Sequence, residues 1–147
     1  MRWDLGASVE RRRGESTEGG SSSADLLIRG GRVFDPARRA FGQRDIAIAK
    51  GRIVRIGDLA DIVEASRVLD AAGMIVAPGL IDLHVHAFPI GQLIGVDVDP
   101  LSSRSGVTTF VDAGSTGALN FLAFRRYVID RARSTLFALL NVSAIGC

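Results

Sequence analysis

Ala77-Pro78-Gly79-Leu80-Ile81-Asp82-Leu83-His84-Val85-His86 is the stretch on which the reading of this chain turns. Pro78-Gly79 breaks the preceding pattern, and the residues after it read as a strand. Side chains two apart on a strand point to one face. Asp82, His84 and His86 are therefore placed on one face, with Leu83 and Val85 on the other. Two neutral imidazoles one pleat apart can converge on a single cation, and imidazole is a preferred ligand of zinc and similar metals. A bare His-x-His also arises by chance in ordinary strands. Here both histidines of the 147-residue chain fall in one pentapeptide, after a break and in a buried-looking strand, which favours a metal site.

Downstream, Asp99-Pro100 offers an N-cap followed by proline at the first helical position, so a short helix is predicted to start there. Asp97 and Asp99 read as caps of that helix in preference to metal ligands. Gly91 and Gly95 mark a mobile loop. Residues 106–112 are β-branched and strand-like. Residues 119–133 show the strongest helical period, with Phe121, Phe124, Val128 and Ala132 on one stripe. Residues 136–142 form a continuous apolar run. Such strands alternating with helices predict an α/β unit, β-α-β-α-β over residues 78–147, with a parallel sheet covered on both faces.

Upstream, residues 25–77 read as a small β-rich module. Gly30-Gly31 separates two short strands, residues 35–39 form a loop, and Lys50-Gly51 between apolar runs is a hairpin signal. A short helical turn is expected over residues 59–65, then strands near 67–70 and 74–76. Residues 1–24, rich in Gly and Ser and carrying four Arg against four acids, are expected to be a disordered tail. No apolar segment follows Arg11-Arg12-Arg13, so neither a secretory nor a twin-arginine signal is expected there.

Composition narrows the function classes. With 47% hydrophobic and 23% charged residues, the chain is neither disordered nor collagen-like nor a disulfide miniprotein. No apolar run approaches the roughly 18 residues of a membrane span. The net charge is only +2, 17 of 18 basic residues are scattered arginines and 6% of residues are aromatic, so nucleic acid is not an expected partner. Cys147, the only cysteine, leaves no intramolecular disulfide and suits a reducing cytoplasm.

Residues 77–86, preceded by Asp70-Ala71-Ala72-Gly73, resemble the entry segment of the amidohydrolase superfamily of metal-dependent hydrolases. Gly106-Val107-Thr108-Thr109-Phe110-Val111-Asp112-Ala113-Gly114-Ser115 is similar to the second barrel strand of that family, and the detail looks most like its dihydroorotase-like amidohydrolase/deacetylase branch. The resemblance covers about residues 25–146. It implies a (β/α)8 TIM-type barrel, of which this chain holds the first three strands, preceded by an incomplete β-sandwich module. It also implies one or two divalent ions, most often zinc, with His84 and His86 as ligands of the more buried one and Asp82 supporting them. The implied reaction is attack of a metal-activated water on an amide or cyclic amide C–N bond of a small molecule, with a late Asp as general base.

The sequence departs from the family pattern in two respects. Phe88 stands two residues after the second histidine, where many dihydroorotases have an Arg, which turns the reading from dihydroorotase proper toward an N-acyl deacetylase. Barrel strands four to eight are missing, and with them the bridging carboxylated Lys, two further His ligands and the catalytic Asp; Lys50, in the hairpin, cannot replace that lysine. No catalytic residue is therefore expected in this chain, and an inert fragment is the alternative reading. A β-rich interaction module with an incidental His-x-His is the minor one. Asp112 and Ser115 at the end of the second strand, and Asn141 with Ser143 near the end of the third, are candidate substrate contacts or, more plainly, turn residues. Three parallel strands cannot close a barrel, so exposed edges, above all residues 136–142, predict self-association.

Overall fold

A computed structural model describes residues 23–62 and 64–147. The chain divides into two units between Val76 and Ala77. The first is built on a hairpin of β2 (Leu26–Asp35) and β3 (Ala40–Ala49), continued by β4 (Arg52–Gly57). Lys50 and Gly51 both have positive φ, 51° and 71°, and Ala49 pairs with Arg52. This is the two-residue turn whose twist matches paired strands.

Gly30-Gly31 was expected to separate two strands, but β2 runs through it. The register shifts between Ile28 and Gly31, and Gly30 takes φ 71° while its N–H donates to Asp45 Oδ1 at 2.7 Å. The extra residue is absorbed as a bulge with glycine in the left-handed region, and the ladder survives. β6 (Val68–Asp70) and β7 (Ile75–Val76) pair with β2 in parallel.

Two further expectations change in this unit. The expected helical segment over residues 59–65 is reduced to a single turn, Ile62 N–H donating to the Leu59 carbonyl at 3.0 Å, and Glu64–Ala65 is a short strand, β5. It pairs with β1 (Ser23–Ala24), so these last two residues of the expected tail are structured. The competing force is burial, since Ala24 joins Leu27, Ala47, Leu59 and Ile62 in one apolar cluster. The expectation for residues 1–22 lies outside the described residues.

The second unit carries three parallel strands in chain order: β8 (Leu80–Val85), β9 (Val107–Asp112) and β10 (Thr135–Ala138). The connections hold α1 (Val98–Ser105) and α2 (Phe121–Tyr127). The core is Val85, Ala87, Phe88, Val98, Phe110, Phe124 and Leu136, with Phe121, Val128 and Ala132 packed against it. The apolar stripe read from the sequence thus faces the core.

Element bounds differ from the sequence reading for local reasons. α1 begins earlier because Asp97, not Asp99, is its N-cap, accepting from Asp99 N–H at 3.1 Å. Pro100 lies in the first turn, where N–H groups have no helical partner to lose. α2 is half the expected length. Asn120 turns its amide to Gly117 N–H and the Ile145 carbonyl rather than capping earlier, and beyond Tyr127 the chain tightens into a 3-10 turn, Ile129–Arg131. β10 ends at Ala138; beyond it Leu139 N–H donates to the Asp112 carbonyl and Asn141 N–H to the Thr116 carbonyl, and Asn141 Oδ1 accepts from Ser143 N–H at 2.8 Å. The loop of Gly91 is packed on Phe88: a Cβ at Gly91 would stand 2.1 Å from the Phe88 ring, so glycine serves close approach there.

Asp99 links the start of α1 to the turn before β10. Its carboxylate accepts from the backbone N–H of Arg133 and Ser134 at 2.9–3.1 Å, and those bonds hold its pKa below the usual 3.8. A carboxyl with a depressed native pKa stabilises above its unfolded value, and that stability is lost as pH falls through the native value. Asp99→Asn is expected to lower stability by about 1 kcal/mol near neutral pH. The deficit should shrink below about pH 4; urea melts of both proteins across that range test it, and a deficit independent of pH would contradict the assignment.

Candidate metal centre

The two histidines meet. His84 is on β8 and His86 just beyond it, and their rings lie edge to face with centroids 5.6 Å apart. Side chains on opposite faces of a sheet do not approach so closely. The alternation is not regular, because the register with β9 shifts between Asp82 and Val85. Asp82 Oδ1 accepts the backbone N–H of His84 at 3.0 Å, so this acid acts on the strand itself. His84 is exposed and His86 half-buried.

The turn after β9 encloses His86. Asp112 is fully buried. One oxygen accepts from Ala87 N–H at 2.7 Å, and the other accepts from Gly114 N–H at 3.1 Å and Ser115 N–H at 2.7 Å. Asp112, a candidate substrate contact in the sequence, thus presents no surface and joins the two strand ends. Ser115, also fully buried, sets its Oγ 3.0 Å from His86 Nδ1. Asn141 Nδ2 donates to the Gly114 carbonyl at 3.0 Å, so both of its polar atoms are engaged with backbone. Ser143 is exposed.

Sequence reading missed two residues here. Gln92 Nε2 donates to the Ser115 carbonyl, and Cys147 Sγ lies 3.8 Å from His86 Nδ1 and 3.4 Å from the Gly114 carbonyl. Neither has a spacing signal, because each arrives by the path of a loop rather than by the pleat of a strand.

With Nδ1 of His86 engaged, its Nε2 and the exposed His84 ring are the donors available to a cation. Neutral imidazole nitrogens are donors of the kind that zinc and similar divalent ions take. Among the described residues no group of three or more His, Cys, Asp or Glu side chains could hold one. A concavity of about 800 Å³ lined by Asp97, Asp99, Thr108, Arg133 and Thr135 lies at the opposite, starting ends of β9 and β10.

The chain is similar to known proteins. The chain is 38% identical over 96 residues to a deacetylase of Agrobacterium fabrum, covering 65% of this chain and 24% of that protein. It is 35% identical over 127 residues to a dihydroorotase of Citrifermentans bemidjiense, covering 84% and 30%. Among solved structures, a dihydroorotase superposes with TM-score 0.70 at 33% identity, over 82% of this chain and 32% of that one. The chain belongs to the amidohydrolase superfamily. A further superfamily structure, the N-acyl-D-glutamate deacylase of Bordetella bronchiseptica complexed with zinc and a phosphonate inhibitor, superposes with TM-score 0.60 at 27% identity, over 81% and 30%. No family model matches the chain. This amidohydrolase chain spans about a quarter to a third of the length of the relatives it matches.

Removing the Asp112 carboxylate would leave three backbone N–H groups without their acceptor. At about 1–3 kcal/mol for each orphaned buried group, Asp112→Ala is expected to lower stability by several kcal/mol. Asp112→Asn, which retains one acceptor oxygen, should fall between it and the parent. Urea denaturation measures both, and an Ala variant as stable as the parent would contradict the bridging role.

Proposed function

We propose that the chain is the metal-binding entry segment of a hydrolase acting on a non-peptide C–N bond of a small molecule, of the N-acyl deacetylase kind. The observation that carries this reading is the convergence of His84 and His86 at the end of a parallel strand in an amidohydrolase. β8, β9 and β10 are read as the first three strands of a (β/α)8 barrel, whose active sites lie at such strand ends; the sheet of the first unit is read as part of an accompanying β-sandwich. The zinc of the related deacylase structure supports zinc as the ion. His84 and His86 would hold it, and Asp82 supports them through the backbone of His84. When bound, a divalent ion polarises the scissile carbonyl and lowers the pKa of water.

Phe88 favours deacetylation over dihydroorotase chemistry. It is buried in the core, its ring centroid 5.1 Å from that of Phe124, so this position offers no charged group to a substrate carboxylate. No helix among the described residues is long and apolar enough to cross a membrane; we place the protein in the cytoplasm, where the free thiol of Cys147 would persist.

Two imidazoles fall short of the three protein ligands usual at catalytic zinc, which favours the second reading, that the 147-residue chain alone is inert. Purified chain is expected to bind zinc weakly, to lose that binding in His84→Ala and His86→Ala, and not to hydrolyse N-acetyl amino acids, dihydroorotate or hydantoins above a metal-ion background. Equilibrium dialysis and product assays test this. Zinc binding indifferent to both substitutions would refute the metal reading, and turnover abolished by His84→Ala would refute inertness.

Self-association is proposed for the isolated chain. Among the described residues β8 and β10 each pair on one side only, and Leu83, Phe137, Leu139 and Leu140 are exposed. Unpaired apolar edges template further pairing. Light scattering is expected to give a mass above 15.6 kDa; a monodisperse monomer would count against it.

A further inference from the structure

The hydroxyl of Ser115 lies 3.0 Å from His86 Nδ1, and a hydroxyl there either accepts a proton from the ring or donates one to it. A second neighbour of Nδ1 favours the first case. Cys147 Sγ stands 3.8 Å from the same nitrogen, and its thiol donates to the Gly114 carbonyl at 3.4 Å. Toward the ring the sulfur has only lone pairs to offer. Ser115 is itself held on both sides, its N–H on Asp112 at 2.7 Å and its carbonyl under the Gln92 amide. Among the described residues the His84 ring has one ring partner, the His86 ring, and no side-chain hydrogen bond.

We infer that Ser115 is the positioning residue of His86: its Oγ accepts the Nδ1 proton and so fixes the tautomer whose Nε2 lone pair is free for a divalent cation. A neutral imidazole carries one proton, so assigning it to Nδ1 leaves Nε2 as the donor atom. The inference rests on the proposal that His86 is a metal ligand, and adds which atom binds and what keeps it deprotonated. It also gives Ser115 a role other than substrate contact. Groups that orient a ligating histidine through its second nitrogen typically account for 10–100-fold in metal affinity.

The chain has two histidines, so the test reads two imidazoles. Metal-free chain labelled with 15N-histidine is examined by magic-angle-spinning NMR at alkaline pH, and His84→Ala assigns the signals. His86 is expected as the Nδ1–H tautomer. Ser115→Ala should shift it toward Nε2–H, Ser115→Thr, which keeps the hydroxyl, should restore it, and Co2+ affinity should fall about 10–100-fold in the alanine variant. His86 found as Nε2–H in the parent chain overturns the inference without any variant. An unchanged tautomer in a folded Ser115→Ala protein overturns it too. Nδ1–H at His86 with no Co2+ uptake by the parent would uphold the positioning role and overturn the metal reading.

Discussion

The Asp112 carboxylate ties the ends of β8 and β9 together, and the candidate site is built around that tie. A fully buried carboxylate is strongly unfavourable unless its oxygens are met by donors, and here three backbone N–H groups meet them. The donors come from both strand ends, Ala87 after β8 and Gly114 and Ser115 after β9. Desolvation of one group is thus offset only when two segments distant in sequence are in place. His86 sits inside the tie. Val85 before it accepts from Ala113 N–H at 2.8 Å, Ala87 after it donates to Asp112, and its own carbonyl accepts from Val96 N–H at 2.8 Å. Its backbone is fixed on either side before any ligand arrives.

His84 is held differently. It lies where the β8–β9 register shifts, its N–H turned to Asp82 and its ring exposed. One imidazole is therefore preset and the other adjusts to it. Ordering a free side chain on binding costs entropy, so in the proposed site the preset ring would define the position and the exposed one would complete the pair. This division follows from the neighbours of each residue and is invisible in the symmetry of His-x-His.

What was legible in the sequence follows the range of the forces involved. The strand-borne histidines, the Lys50-Gly51 hairpin and the stripe of Phe121, Phe124, Val128 and Ala132 depend on periodicity and turn chemistry, which are local. The misread places were decided by distant partners. Asp99 was assigned to the helix cap but reaches Arg133 and Ser134, leaving Asp97 to cap. Asn120 is drawn to Gly117 and Ile145, which sets the start of α2 at Phe121, and Ala24 is drawn into the apolar cluster, which turns the end of an expected tail into a strand. At the site, the face shared by the histidines could be read from the pleat. The enclosure of Asp112 could not, because its donors are backbone groups and no residue type announces them.

Two helices cover three strands in this unit, and the shortfall is visible. Phe110 and Phe124 are fully buried over the central strand, while Leu83 on one edge and Phe137 on the other are 71% and 59% exposed. Parallel sheets ordinarily have both faces covered. A large apolar side chain contributes about 1.5–3 kcal/mol when buried, so several left exposed forgo stability comparable with the roughly 5–15 kcal/mol of a whole domain. The core that does form includes Val85, Ala87 and Phe88, the residues flanking His86. Apolar packing and the polar tie therefore converge on the same short segment. Packing strengthens with whatever else covers the sheet, whereas the Asp112 bonds need only the two strand ends. Of the two, the polar tie is the one that can keep His86 and Ser115 in register while the sheet edges stay open.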